Sequence, residues 1–124
     1  MGMTSVDLLQ GTADLLILKA VSWGPAHGYA IARWIEQLTG HALEIGEGSL
    51  YPALHRLEAR GAVASEWRIS DRNRRAKFYR LTPLGRKLLE KETAEWGSFV
   101  AAVGKVLRTR SAPTRPALAR NGDG

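Results

Sequence analysis

The chain has 124 residues, no cysteine, and 18 Lys and Arg against 12 Asp and Glu, for a formal net charge of +6. Without cysteine there is no disulfide framework, thiolate metal site or thiol nucleophile, and no apolar run approaches the ~20 residues that span a bilayer. The start of the chain carries no secretion-signal pattern, so a cytoplasmic protein with no membrane partner is expected, and the basic balance favours an anionic one.

Met1 to Asp7 reads as a loose terminus. Thr12 is placed to cap a first helix running to Val21, with Asp14 in its first turn, where a negative charge suits the helix dipole. Leu15, Leu16, Ile17, Leu18, Ala20 and Val21 cover most of this helix, so more than one side should be buried. A one-layer domain hardly needs that, and a helix of a second subunit is expected to cover the other side. Gly24-Pro25 ends the segment. A second helix is predicted from about His27 or Gly28 to Thr39, because Ile31, Trp34, Ile35 and Leu38 repeat at the spacing of one buried face. Gly40 is placed to stop it. Leu43 and Ile45 then alternate with Ala42, Glu44 and Gly46, as in a very short strand.

A third helix begins near Gly48 or Ser49. Pro52 is acceptable there because first-turn N–H groups have no intrahelical partner. Leu50, Ala53, Leu54 and Leu57 form its inner face. Tyr51, Pro52, His55 and Ala59 lie opposite, with Ser49 and Arg56 on a flank. Gly61 fits the helix stop. Residues 62–70 and 76–82 read as paired strands, joined by Asp71 to Arg75 with Asp and Asn supplying turn chemistry. Thr82-Pro83 starts a long helix that should reach about Leu107: a capping hydroxyl, then proline at the first helical position. Along it Leu89, Trp96 and Val103 are seven apart, and Thr93, Val100 and Leu107 repeat with an offset of four, an a/d seam with one polar member. Gly97 and Gly104 weaken the helix by up to ~1 kcal/mol each relative to alanine and permit close approach of another helix. After Arg108 the pattern stops, and a tail holding Arg110, Arg115 and Arg120 among Ser, Pro and Gly reads as disordered.

The fold class is therefore mainly α with a small β-hairpin: a winged helix-turn-helix over 8–82, a C-terminal dimerisation helix over 83–108 and a basic tail over 109–124. A short helix with a polar outer face can enter the major groove, which is ~12 Å wide. The dense cations of the following turn can reach neighbouring phosphates. Double-stranded DNA is the first partner to consider.

Four stretches then carry a family resemblance: Leu9-Gln10-Gly11-Thr12 with the apolar helix after it, His27-Gly28-Tyr29, the run from Gly48 to Glu58, and the run from Arg74 to Thr82. In this order and spacing they closely resemble the PadR family of bacterial transcriptional regulators, in the compact group that ends in one long helix. The resemblance covers roughly Leu8 to Leu107. It implies a winged-helix homodimer that represses transcription, and family members often lose DNA affinity on binding a small, commonly aromatic or lipophilic molecule.

The residues expected at the groove are Ser49, Tyr51 and His55. Tyr51 and His55 sit one turn apart on the outward face, and Ser49 is near a helix N-terminus that can hold a phosphate. The plainer reading makes Ser49 only a cap and packs Tyr51 on the wing. Arg72, Arg74, Arg75 and Lys77 are expected on the DNA backbone or in the minor groove, rather than merely protecting a strand edge. Leu15, Leu18, Leu89, Trp96, Val100, Val103 and Leu107 are expected at the dimer interface. Trp96 with its symmetry mate can bound a slot for a planar effector, against plain core packing as the alternative. No cofactor, metal site or enzymatic activity is expected. His27, His41 and His55 fall in separate elements, and Glu44 and Glu47 have no partner histidine. Two rival readings are a winged helix used for protein–protein contact and a general nucleic-acid binder acting through the basic tail.

Overall fold

In the computed structural model, which describes residues 10–111, four helices and a small antiparallel sheet follow one another as α1 (Gln10–Val21), β1 (Ala26–His27), α2 (Gly28–Leu38), α3 (Glu47–Ala59), β2 (Val63–Ile69), β3 (Arg75–Leu81) and α4 (Pro83–Arg108). The sheet order is β1-β3-β2. β2 and β3 form the expected hairpin, with Val63 opposite Leu81 and Ile69 opposite Arg75. β1 pairs Ala26 with Tyr79 and His27 with Phe78. The contacts of the chain divide it into Met1–Thr93 and Ala94–Gly124. The first turns of α4 thus fall in the first unit. The expected loose start and the tail from 112 on, with Arg115 and Arg120, lie outside the described residues.

The core of the first unit joins one face of each element. Ile17, Leu18 and Val21 of α1, Ile31 and Ile35 of α2, and Leu50, Ala53, Leu54 and Leu57 of α3 are all buried. Val63 and Tyr79 close the sheet side, and Leu89 of α4 completes the cluster. The 3–4 spacing of α3 thus buries the four predicted residues and leaves Tyr51, Pro52 and His55 exposed. The predicted face of α2 holds except at its end, where Leu38 is exposed. Residues 42–46 make no strand of their own, although Ile45 is buried as expected of an inward residue.

Two local expectations for α1 are corrected. The helix already includes Gln10, so Thr12 lies inside it, and Asp14 falls beyond the first turn. Asp14 is instead buried, and its Oδ1 accepts a hydrogen bond from Arg56 Nη2 of α3 at 2.9 Å. Arg56, read as a flank residue, therefore ties α3 to α1. Arg56 Nε is buried without a hydrogen-bond partner, so the pair is not a complete fork. Removing one partner of a buried pair strands the other charge, at a cost of 3–5 kcal/mol when both are enclosed; partial solvent access of Arg56 brings this to roughly 2 kcal/mol for Asp14→Ala. Urea denaturation should show a lowered midpoint with an unchanged slope. An unmoved midpoint would remove the pair from the stability of α3.

The start of α4 is built as the sequence implied. Pro83 opens the helix, and Thr82 Oγ1 accepts the Gly85 N–H at 3.0 Å. The same hydroxyl donates to Gly61 O at 2.6 Å, with Ala62 O 3.0 Å away. One side chain thus caps α4 and fastens it to the turn between α3 and β2.

In the second unit the described residues are the remainder of α4 and the short segment after it. Trp96, Phe99, Val100, Val103, Val106 and Leu107 are exposed there. They recur at the three- and four-residue steps that share a helix face. Phe99 and Val106 widen the seam beyond its predicted members. The Trp96 and Phe99 rings lie 6.0 Å apart.

Candidate nucleic-acid interface

α3 starts without a side-chain cap, since Gly46 is its N-cap residue. Ser49 and Leu50 donate their N–H groups to Gly46 O at 3.0 and 2.9 Å. Ser49 is therefore a half-buried first-turn residue and not the cap. His55 is exposed on the outer face, as expected. Tyr51 is also exposed, at 39 %, but its ring leans on the start of α2. A Cβ at Gly28 would lie only 2.9–3.1 Å from the Tyr51 ring and hydroxyl. Glycine at position 28 is what lets the ring lie there. Tyr51 thus packs on α2, where the plainer reading placed it on the wing, and it keeps an outward edge.

The wing is fixed at its base and at its tip. At the base, Ser65 Oγ donates to Glu58 Oε2 of α3 at 2.6 Å, and Lys77 Nζ lies 3.6 Å from Glu58 Oε1. Lys77, expected on a phosphate, is therefore shared with a carboxylate of the recognition helix. Tyr79 packs beside this group. Its phenol is held above the ordinary tyrosine range, chiefly by burial and then by the nearby Glu58 carboxylate and Tyr51. It remains a neutral donor or acceptor at working pH. At the tip, Ser70 Oγ accepts from both Arg72 N and Arg74 N at 3.3 Å. Ser70 N donates to Arg74 O at 2.7 Å, and Asn73 takes a left-handed φ of 58°, which asparagine tolerates. The turn is short and internally bonded, so its arginines start from defined positions.

These arginines differ in their surroundings. Arg72 and Arg74 are exposed and pair with no carboxylate among the described residues. Arg75 lies with its guanidinium 4.7 Å from the centre of the Trp67 ring. Arg68, on the opposite face of the hairpin, is held by Glu66 at 2.6 Å and lies over Phe78 at 5.5 Å.

His27 caps α2: its Nδ1 accepts the Ala30 N–H at 3.2 Å, and its ring meets Phe78 edge-on at 5.2 Å. This use of Nδ1 as acceptor places the ring proton on Nε2. Between the start of α2 and the wing tip opens a cleft of about 650 Å³, lined by His27, Tyr29, Arg33, Arg72, Arg74 and Arg75 among others. Beside it, a hollow of about 290 Å³ is bordered by Tyr29, Tyr51, Trp67, Lys77 and Tyr79. His27, Tyr29 and Ala76 border both. Together they run from the recognition helix to the wing turn.

A helix with an outward polar edge, flanked by a braced basic hairpin, is an arrangement suited to a nucleic-acid duplex. Comparison with known proteins agrees. The model of the transcriptional regulator PadR-like family matches residues 17–91, which hold α2, α3, the wing and the start of α4.

The chain belongs to the PadR-like family of transcriptional regulators.

A protein of Mycobacterium tuberculosis named transcriptional regulator Rv3488 is 45% identical to this PadR-like regulator over 87 residues, 69% of this chain and 77% of that one. An uncharacterized 37.1 kDa protein in transposon TN4556 of Streptomyces fradiae is 50% identical over 80 residues, 64% of this chain but only 21% of the relative. Among solved structures, a PadR family transcriptional regulator from Eggerthella lenta superimposes with a TM-score of 0.67 at 36% identity, covering 82% of this chain and 86% of that one. Among the described residues, no helix is long and apolar enough to cross a membrane.

The PadR-like fold also sorts the residues expected at a dimer interface. Trp96, Val100, Val103 and Leu107 are exposed, and Leu15 is half-buried. Leu18 has no exposed surface and Leu89 only 9 %, so both belong to the core of their own chain. The apolar oversupply of α1 is real, but α3, α2 and β3 absorb most of it. Leu15, Leu16 and Ala20 are what remains half-covered. Sequence reading also missed Trp67 and Tyr29 as surface residues beside the recognition helix. Trp67 shares a face of β2 with Val63 and Ser65, and that face changes from buried to exposed along its length.

Proposed function

We propose that this PadR-like regulator is a cytoplasmic homodimeric repressor that binds a pseudo-palindromic operator and is released by a small aromatic or lipophilic effector. The observation that carries this reading is the pairing of an exposed α3 face, with His55 and the edge of Tyr51, and a braced wing tip whose Arg72 and Arg74 have no carboxylate partner among the described residues. On this reading α3 lies in the major groove, and the wing cations hold phosphates or enter the adjacent minor groove. Two-fold symmetry would set the two recognition helices on half-sites about 34 Å apart, one turn of DNA. The exposed stripe of α4 would form the subunit contact. Trp96, 44 % exposed and beside Phe99, would offer the effector a stacking surface.

The test is a binding titration of the whole protein on DNA from upstream of its own gene against a scrambled duplex, at several salt concentrations. A preference of roughly a thousandfold or more is expected for a specific site. Equal, weak and salt-sensitive binding to both duplexes, persisting with sites selected from random DNA, would replace the repressor by a general nucleic-acid binder. In the same assay Arg74→Ala should weaken binding and make the plot of log affinity against log salt shallower by about one unit. A slope unmoved by the substitution would take Arg74 off the phosphates.

A further inference from the structure

The β2–β3 hairpin has one face that the groove-and-arginine description leaves unused. Cross-strand partners share a face, and the pairs Ser65–Tyr79, Trp67–Lys77 and Ile69–Arg75 stand in succession along it. At the inner end Tyr79 is buried and Ser65 is bonded to Glu58, so this is the face turned toward α3. At the outer end Trp67 is 57 % exposed and Ile69 is 64 % exposed. Single exposed apolar residues need no explanation. Here two large ones stand in a row on β2 opposite cations of β3, and Arg75 lies over the Trp67 ring at 4.7 Å. Trp67 also borders the hollow that contains Tyr51 of the recognition helix.

A strand of duplex DNA presents apolar deoxyribose edges alternating with anionic phosphates. The wing face presents an apolar row, Trp67 and Ile69 of β2, beside a cationic row, Arg75 and the Glu58-paired Lys77 of β3. We propose that Trp67 is a DNA-contacting residue of the wing, its indole lying against the sugar–phosphate backbone of one strand. Arg75, over the same indole, reaches the neighbouring phosphate independently of it. The proposal rests on the DNA-binding reading above and adds to it an affinity determinant that carries no charge.

Charge and contact can be separated by experiment. The whole protein, as wild type and as Trp67→Phe, Trp67→Ala, Arg75→Ala and the Trp67→Ala/Arg75→Ala double variant, is titrated with a short mixed-sequence duplex at low salt and with duplexes selected by the wild type from random DNA. Trp67→Ala should weaken binding to both by about five- to twentyfold, the worth of one aromatic contact. Trp67→Phe should retain most of the affinity. The salt slope of Trp67→Ala should stay that of the wild type, while Arg75→Ala loses about one unit. Quenching of intrinsic fluorescence by DNA should diminish in Trp67→Phe, which keeps Trp23, Trp34 and Trp96 as internal references. Unchanged affinity of Trp67→Ala in a protein that still binds DNA overturns this inference alone. So does a double variant no weaker than Arg75→Ala, because the indole would then act only by holding the guanidinium. Failure of the wild type to bind any duplex overturns the DNA-binding reading and this inference together.

Discussion

Replacing Gly85 by alanine is expected to destabilise the protein by about 3 kcal/mol and to lower its melting temperature by roughly 10 °C or more. Gly85 lies in the first turn of α4, where it is buried. A Cβ at this position would stand 2.0 Å from Ala62 O, 2.9 Å from Ala62 C and 2.8 Å from Leu81 Cδ1. The obstructing atoms are mainly backbone, and that backbone is pinned. Ala62 N donates to Leu57 O at 2.9 Å, while Ala62 O accepts from Thr82 N at 3.1 Å. Relief would require the start of α4 to move off the turn between α3 and β2, with loss of the Thr82 contacts that fasten it there. Intrinsic helix propensity points the other way, favouring alanine by about 1 kcal/mol. The sign of the measured change therefore decides which effect wins. Gly48, in the first turn of α3 with nothing near its missing Cβ, is the matched control. Gly48→Ala should be neutral or slightly stabilising in the same thermal melt. A Gly85→Ala protein that melts at or above the wild-type temperature would show that α4 does not rest on that carbonyl.

The difference between these glycines marks the boundary of what sequence pattern reveals. Periodicity located the helices, because an apolar stripe shows itself by spacing alone, whether it faces the core as in α2 and α3 or stays exposed as on the later turns of α4. The cap at Thr82 and the turn at Asn73 were equally legible, since both depend on residues a few positions apart. Tertiary pairings were not. Asp14 looked like a dipole-complementing residue until Arg56, 42 positions away, proved to be its partner. β1 has two residues and exists only because β3 offers an edge to Ala26 and His27. Leu18 belonged equally well to a subunit interface or to a core, since periodicity states that a face is buried and not by what. The same gap affected the site. Charge density picked out Arg72, Arg74, Arg75 and Lys77 as one group, yet their surroundings divide them: the first two pair with no carboxylate among the described residues, the third is stacked on Trp67, and the fourth is shared with Glu58. Those partners arrive from β2 and α3, and the wing acts through them. Glu58 braces the hairpin against α3, so on the proposed reading groove and backbone contacts would be delivered by one unit. Preorganisation of this kind lowers the ordering cost that weakens binding by mobile basic loops.

On the proposed dimer, Val100→Asp should turn the protein into a monomer at micromolar concentration and lower operator affinity by about a hundredfold or more. Val100 is 47 % exposed and stands between Trp96 and Val103 on the apolar stripe of α4. A stripe of this width has little reason to face water along a charged helix, and two copies related by a two-fold axis would cover each other's apolar surface. An aspartate at its centre would be buried twice, once from each subunit, without a cation opposite. Desolvating two unpaired carboxylates costs several kcal/mol, enough to exceed a modest association energy. The loss on DNA would follow from geometry. A dimer bound at one half-site holds its second recognition helix at high local concentration near the other, whereas a monomer must bind each half-site independently. Ser98→Asp supplies the control, because residue 98 lies on the opposite side of the helix from residue 100. It should leave both the assembly and the affinity unchanged. Sedimentation velocity reads the first and a gel-shift titration the second. A Val100→Asp protein that remains dimeric with full operator affinity would move the subunit contact off the α4 stripe. The half-covered Leu15, Leu16 and Ala20 of α1 would then be the next surface to test. Monomers that retain full affinity would instead remove the two-fold operator from the mechanism, because a single winged helix would then suffice.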